Sequence, residues 1–316
     1  MDTLTNIPIG QIKRYNDLHV AKLTEEERTL LVNYVALTRD VTESNQLFEA
    51  FYFNLLSMRN SFVFFTNDTV KKTEHCPPYD CDFVAVNSLV INLISSAKIL
   101  TEFLREAANT WLGNSTDKYK DKYNIYVSEI YDSSPNYRLL INLRNYVQHG
   151  HFPVSFQGER FSFDVNQIFD TPRFAMNVKL KNDIKNFIEK TNVSEDIIPC
   201  ISLTLTIADF AVIVTDIYRK FLTYFQESVS LSYNNVKDLI SHKPSIVCDY
   251  HEDFKGYIIY DYDIDENRLH VFNPKQDPNN MINEYIKRSA SIYENEKNEH
   301  DKLFHCLKYV DSIKLK

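Results

Sequence analysis

The chain has 316 residues, long enough for one large domain or two ordinary ones. Of these residues 44% are hydrophobic and 25% charged, a composition typical of a globular protein. Glycine occurs only 5 times, and neither GxGxxG nor GxxxxGKS/T is present, which excludes the classical glycine-rich nucleotide-binding enzymes. The net charge of −8 gives no global attraction to nucleic acid, so RNA binding would need a local basic patch.

The cysteines and the first residues predict a cytoplasmic protein. Five cysteines, an odd number without framework spacing, suit a reducing compartment. The opening stretch, MDTLTNIPIGQIKRY, lacks the basic start and apolar run of a signal peptide. The most apolar window, residues 197–217, contains Asp209 and Asp216, so it is interpreted as a buried core helix, and no membrane partner is predicted.

Helical spacing dominates residues 24–131, apart from a predicted loop at 66–80. Thr24 and Glu27 form a capping box that begins a helix ending at about Thr38. Gly113 and Asn114 end a later, long apolar helix. Besides the helix that begins at Thr24, the spacing of apolar residues predicts helices over Thr42–Phe65, Asp82–Leu112 and Thr116–Tyr131.

The next stretch, residues 134–151, predicts one helix with signals at both ends. Ser134 is a candidate N-cap, Pro135 occupies a position where helices accept proline, and Gly150 is placed to end the helix. Its core face is apolar, yet a polar group occupies the last two turns: Arg144, Asn145, Gln148 and His149. This group is either a solvated helix end or a site.

After Gly150 the apolar spacing changes to that of strands. VSF, FSFDV and FAMNVKL predict a small antiparallel β insertion near residues 153–180. The strongest helix is expected from about Asp196 to Phe225 and a short one over 234–242. Three further strands, SIVCDYH, GYIIYDYDI and RLHVF, precede a polar helix at about Met281–Tyr309.

These elements predict a mainly α fold in three consecutive regions. Residues 1–79 are expected to form a helical pair that packs on the core. Residues 80–230 are expected to form a helical bundle carrying the β insertion, and 231–316 a small α+β region.

Arg144 and His149 combine a fixed cation with a side chain that titrates near neutrality. Arginine can hold a phosphate with a forked set of donors, and histidine can give or take a proton near pH 7. Chance alone gives about 0.3 such spacings, and a second pair, Arg14 and His19, is present. On a helix the two residues lie about 140° apart, which favours a cleft shared with another helix or subunit.

The stretch LRNYVQHG resembles the RNxxxH motif of the HEPN superfamily of helical-bundle RNases and nucleotide-binding proteins. The resemblance covers about residues 80–225. It implies a homodimer with a composite, metal-independent RNase cleft and no cofactor, acting as a toxin or phage-defence effector with a possible protein antitoxin or regulatory partner. By position, Arg144 would steady the phosphate and His149 would be the acid/base, with His151 an alternative. Asn145 would orient that histidine or the backbone. The family also contains inactive members, so the alternative is a non-catalytic protein binding a nucleotide, RNA or a protein partner.

Other residues are candidates for supporting roles. Asn87 lies on the long helix, and Asp209 belongs to a polar stripe that could orient His149 or pair with Arg144, or be a helix edge. Basic residues that could follow an RNA backbone, or form a solvated face, are Lys179, Lys181 and Lys185. His75, Cys76 and Cys81 are close together but lack a second ligand pair, so no metal site is predicted.

Overall fold

The computed structural model describes residues 4–8, 23–67, 80–112, 119–148, 150–157, 160–164, 168, 178, 181–182, 200–242, 247–251, 256–263, 268–272 and 278–314. The fold is mainly helical, as predicted. Its helices are α1 (Glu25–Asn67), α2 (Asp80–Trp111), α3 (Tyr119–Ser133), α4 (Pro135–Gln148), α5 (Leu203–His242) and α6 (Pro278–Lys314). Its strands are β1 (Leu4–Pro8), β2 (Val154–Gln157), β3 (Arg160–Asp164), β4 (Cys200–Ser202), β5 (Val247–His251), β6 (Gly256–Asp263) and β7 (Arg268–Phe272).

Helix α1 is continuous, so the prediction of two helices with a break near residue 40 is wrong. No glycine or proline interrupts it there. The hydroxyl of Thr38 donates to the carbonyl of Tyr34 at 3.0 Å, and that of Thr42 donates to the carbonyl of Thr38 at 3.0 Å. Both hydroxyls are therefore satisfied within the helix instead of ending it. The predicted capping box is confirmed, because Thr24 and Glu27 bond each other's backbone N–H.

Helix α4 has the ends that its sequence predicts. The Ser134 hydroxyl accepts a hydrogen bond from the N–H of Tyr137 at 3.2 Å, which confirms the N-cap. Tyr137 packs its ring against Phe210 of α5 at 5.8 Å. Burial raises the pKa of the Tyr137 hydroxyl to about 12. The apolar face of α4 is thus held in the core, while Asn145 and Gln148 in its last turns are exposed.

Replacing Ser134 with alanine is expected to lower the free energy of unfolding by about 1 kcal/mol, because the N–H of Tyr137 loses its acceptor. Ser134→Asp should retain most of the stability, since aspartate is an equally good cap. Chemical denaturation of the two variants and the parent measures the difference. Equal loss in both variants would contradict a capping role.

A three-stranded antiparallel sheet, in the order β2-β3-β4, includes the predicted insertion. Val154 lies opposite Phe163, and Ser162 opposite Ser202. Cys200–Ser202 was expected to be helical. It forms a strand because it completes this sheet, and α5 begins only at Leu203. The strand predicted over FAMNVKL is wrong at Val178, which is helical. Helix α5 then runs to His242 without a break and includes the short helix predicted over 234–242.

The four-stranded antiparallel sheet has the order β1-β7-β6-β5. It confirms the three strands predicted near the end of the chain. Strand β1, from the opening residues, was not predicted. It pairs with β7 in the register Leu4 to Phe272 and Pro8 to Arg268.

The chain forms two compact units, each built from separated segments. Unit 1 comprises Met1–Glu43, Ala107–Tyr119 and Phe221–Lys287, and unit 2 comprises Ser44–Glu106, Lys120–Lys220 and Arg288–Lys316. Leu23, Leu31, Tyr34 and Val236 form an apolar cluster in unit 1. Aromatic rings fill unit 2, where Phe48 stacks on Tyr218 at 4.2 Å. The three consecutive regions expected from the sequence stay a prediction.

One helix in the described residues, Phe83–Trp111 within α2, is long and apolar enough to cross a membrane. Its most apolar window is 39% buried inside the protein, and Val90, Leu93, Leu100 and Leu104 are wholly buried. Core helices often meet the same criteria of length and composition, so this helix is weak evidence for a membrane span. The cytoplasmic location stays a prediction.

Candidate functional site

The predicted RNase motif lies at the end of α4, in unit 2. Arg144 is half-buried, whereas Asn145 and Gln148 are exposed. Gly150 has a φ of 84° and its N–H donates to the carbonyl of Val147 at 2.9 Å, so the helix ends in the left-handed turn that glycine favours. His149 lies outside the described residues. The described part of the motif therefore offers a guanidinium and two amides at an accessible helix end.

Arg144 differs from other arginines of unit 2 in its surroundings. Arg59 bonds Glu296, Arg219 bonds Asp216 and Arg288 bonds Glu49. No carboxylate pairs with Arg144 among the residues that the structure describes. The N–H groups of its guanidinium are therefore not bonded to a carboxylate in that part of the chain. Recognition of a phosphate requires such unbonded N–H donors.

His151 packs against α4 on another side. Its ring is half-buried and stacks on the ring of Tyr146, with 4.9 Å between the centroids. Arg144 and Tyr146 are two residues apart, which places them about 160° from each other around a helix. The structure thus gives His151 a packing role beside Tyr146 and does not bring it to Arg144.

Asn87 is wholly buried on α2 and holds the chain that follows the motif. Its side-chain amide donates to the carbonyl of Val154 at 3.1 Å and to that of Phe83 at 3.0 Å. Its oxygen accepts from the N–H of Val154 at 2.9 Å. Phe83 also meets Phe152 edge to face, at 5.4 Å between the centroids. The predicted supporting residue therefore positions the segment 150–154 through backbone contacts.

Asp209 lies at the opposite end of α4 from the motif. It accepts a hydrogen bond of 3.1 Å from the amide of Asn136. Eight residues separate Asn136 from Arg144, or about 12 Å along a helix. The described contact of Asp209 is therefore with the beginning of α4, away from Arg144.

Asp216, on the same polar stripe, belongs to a separate cluster. It accepts hydrogen bonds from the hydroxyl of Tyr126 and from Arg219, whose guanidinium lies over the ring of Tyr293 at 4.6 Å. Burial, and then the bond to Asp216, raise the pKa of Tyr126. The separate hydrogen bond from Arg219 to Asp216 raises the pKa of Arg219. This cluster joins α3, α5 and α6 and is occupied by its own contacts.

The three lysines predicted to meet RNA are described only in part. Lys181 is half-buried and already takes part in an interaction. Lys179 and Lys185 lie outside the described residues. A role of these lysines in binding RNA stays a prediction.

Arg138 is a structural residue that the sequence reasoning missed. Its side chain is 1% exposed, donates to the carbonyl of Asp132 at 2.8 Å and lies over the ring of Tyr131 at 5.9 Å. The Asp132 carbonyl belongs to the last turn of α3, where carbonyls lack helical partners. Arg138 therefore joins the end of α3 to α4. In the sequence Arg138 stands between Tyr137 and Leu139, in the apolar stretch of α4, and this position was the signal that could have identified it as a buried residue.

Among the described residues, no three histidine, cysteine, aspartate or glutamate side chains are grouped to hold a metal ion. His75 and Cys76 lie outside those residues, so the expected lack of a metal site stays a prediction. No protein-family model, curated protein or solved structure matches the chain.

Proposed function

We propose that the protein is a metal-independent endoribonuclease of HEPN type, acting at a site built from Arg144, His149 and Asn145. The observation that carries the proposal is the half-buried Arg144, which has no carboxylate partner in the described chain. A guanidinium without an acid partner is suited to a phosphate whose charge grows in the transition state. Asn145, exposed beside it, can bond the substrate or orient the histidine.

The chemistry is an internal transesterification. A base removes the proton from the ribose 2′-hydroxyl, the 2′-oxygen attacks the phosphorus, and the 5′-oxygen leaves with a proton from an acid. The products are a 2′,3′-cyclic phosphate and a 5′-hydroxyl, so no water or metal is consumed in this step. We assign the proton transfer to His149 rather than His151, because the ring of His151 stacks on Tyr146, which points to another side of α4 than Arg144 does.

The proposed cleft is shared by two copies of the chain. On a helix that continued through position 149, Arg144 and His149 would be about 140° apart, which favours a cleft to which each copy supplies one of the two residues. A twofold dimer would place Arg144 of one copy near His149 of the other.

The test is incubation of the purified protein with tRNA or mRNA in EDTA. Arg144→Ala and His149→Ala are each expected to lower the cleavage rate by about 10²–10⁴-fold with folding intact. The matched control is the pair Arg14→Ala and His19→Ala, which has the same spacing and should retain the parent rate. Cleavage that persists in both motif variants would place the site elsewhere.

Mixing the two inactive variants tests the composite cleft. A dimer of Arg144→Ala with His149→Ala keeps one intact cleft, so random mixing should restore about a quarter of the parent activity. Absence of any recovery, despite demonstrated subunit exchange, would contradict a shared cleft. RNA binding without cleavage in the parent would instead favour the non-catalytic alternative.

A further inference from the structure

Unit 1 contains a cleft that is separate from the motif on α4. Its volume is about 420 Å³, within the range of small-molecule sites. One wall is a stripe of α1 that includes Glu26 and Leu30, and the other is a stripe of α5 that includes Glu227 and Leu231. Trp111, the only tryptophan of the chain, lines it as well. Apolar side chains thus form part of a cleft that also presents two acids.

The charge of this cleft is negative. Neither Glu26 nor Glu227 has a hydrogen-bond or ion-pair partner among the described residues. In the first turn of α1, Glu27 caps the helix and Glu25 lies 3.7 Å from Arg28. Glu26 is therefore the acid of this turn that has neither a capping bond nor an ion pair among the described residues. None of the described lining residues is basic.

The surrounding unit strengthens this field. By sequence, unit 1 has 19 acidic and 12 basic residues, a net charge of −7, whereas unit 2 has 24 acidic and 23 basic residues, a net charge of −1. An organic cation is therefore attracted to unit 1, and an anion such as a nucleotide is repelled.

The two carboxylates lie toward different ends of the cleft. Leu239 and Ile240, at the end of α5, pack with Leu23 and Leu31, at the start of α1. Glu26 therefore lies toward the end of α5. Eight residues separate Glu227 from Asn235, which corresponds to about 12 Å along α5. Two positive charges at a similar spacing would match both acids.

Trp111 is held by a hydrogen bond and lines the cleft. Its indole N–H donates to a carboxylate oxygen of Asp40 at 2.7 Å. Tryptophan gives the strongest attraction of an aromatic face for an ammonium group. Leu30, Leu37 and Leu231 offer apolar contact to the methylene groups between the charges.

We propose that this cleft binds a linear aliphatic polyamine of about the length of spermidine, with one terminal ammonium at Glu227 and Trp111 and the other at Glu26. The apolar side chains contact its methylene groups, and the acidic field of unit 1 favours its approach. This site is independent of the proposed RNase chemistry.

The test uses the fluorescence of Trp111 in the full-length chain, titrated with spermidine at constant ionic strength. A saturable change is expected, and Glu227→Gln and Glu26→Gln should each weaken the apparent affinity by about fivefold. The matched control is Glu25→Gln, from the same helical turn but not lining the cleft, which should bind as the parent does. Calorimetry of the same variants gives a readout that does not depend on the fluorophore.

Three results would overturn the proposal. Equal weakening by Glu25→Gln would indicate diffuse attraction to the acidic unit. The same fluorescence change with magnesium chloride would mean that any small multivalent cation suffices. A response to a lysine-rich peptide, with none to spermidine, would identify the cleft as a surface for a protein partner.

Discussion

Replacing Arg59 with methionine is expected to lower the free energy of unfolding by about 3–5 kcal/mol at pH 7, the usual effect of leaving a buried charge unpaired. The partner, Glu296, is 1% exposed on α6. Both nitrogens of the Arg59 fork reach its carboxylate, one at 2.9 Å. Methionine keeps most of the apolar stem but supplies no donor, so the carboxylate loses its compensation.

The pH dependence of this loss follows from the pKa of Glu296. Burial raises that pKa above 4.5, the ordinary value for glutamate, while the charge and hydrogen bonds of Arg59 oppose the rise. In Arg59→Met the opposition is removed and the pKa rises further. A glutamate whose pKa is raised by folding binds more protons in the folded state, so stability falls as the pH increases from about 4.5 through the folded-state pKa. The deficit relative to the parent should therefore shrink in acid.

Urea denaturation at several pH values measures this effect, with two controls. Adding Glu296→Gln to Arg59→Met should recover much of the loss and remove its pH dependence, because no buried charge remains. Arg39→Met removes an exposed arginine that lies 3.8 Å from Glu43, and should cost less than about 1 kcal/mol. A pH-independent deficit in Arg59→Met would show that lost packing, rather than the charge of Glu296, is responsible.

Replacing Asn87 with alanine is expected to cost about 3 kcal/mol, since it leaves both the N–H and the carbonyl of buried Val154 without their side-chain partner. The same change should lower the proposed RNase activity, because Asn87 holds the segment that follows the motif. Denaturation and cleavage assays on the same preparation separate the two losses.

Replacing Asn145 with alanine is expected to lower cleavage without lowering stability, unlike Asn87→Ala. This exposed amide should change stability by less than about 0.5 kcal/mol while reducing cleavage. If Asn87→Ala were as stable as the parent, the hydrogen bonds to Val154 would not anchor the segment. If Asn145→Ala cleaved normally, its proposed role at the site would be wrong.

Features encoded by neighbouring residues could be predicted from the sequence, and features encoded by distant partners could not. Both ends of α4 were predicted because Ser134, Pro135 and Gly150 act within one turn of the helix. Strand β1 was missed because its partner, β7, lies more than 250 residues away in the sequence. The three residues between the two predicted helices, Arg39, Asp40 and Val41, include no helix breaker, and the structure shows that α1 is continuous.

The same distinction, between features set by neighbouring residues and features set by distant partners, applies to the candidate site. The sequence identified Asn87 as a polar residue of the long helix, but its partner, Val154, is 67 residues away and could not be inferred from spacing. The separation of 140° expected between Arg144 and His149 assumes a helix through position 149, whereas α4 ends at Gln148 and His149 lies outside the described residues. The packing of His151 on Tyr146 depends on how the chain turns after Gly150, which helical periodicity does not describe.

Because unit 2 is built from segments that are far apart in the sequence, its parts emerge from the ribosome at different times. Arg144 and the rest of α4 leave the ribosome well before α6, whose Glu296 lies 237 positions after its partner Arg59. Until α6 emerges, Arg59 lacks the carboxylate that it binds in the folded unit, and contacts so far apart in sequence form slowly. A nascent chain that already contains α4 therefore cannot yet complete the unit that carries this helix.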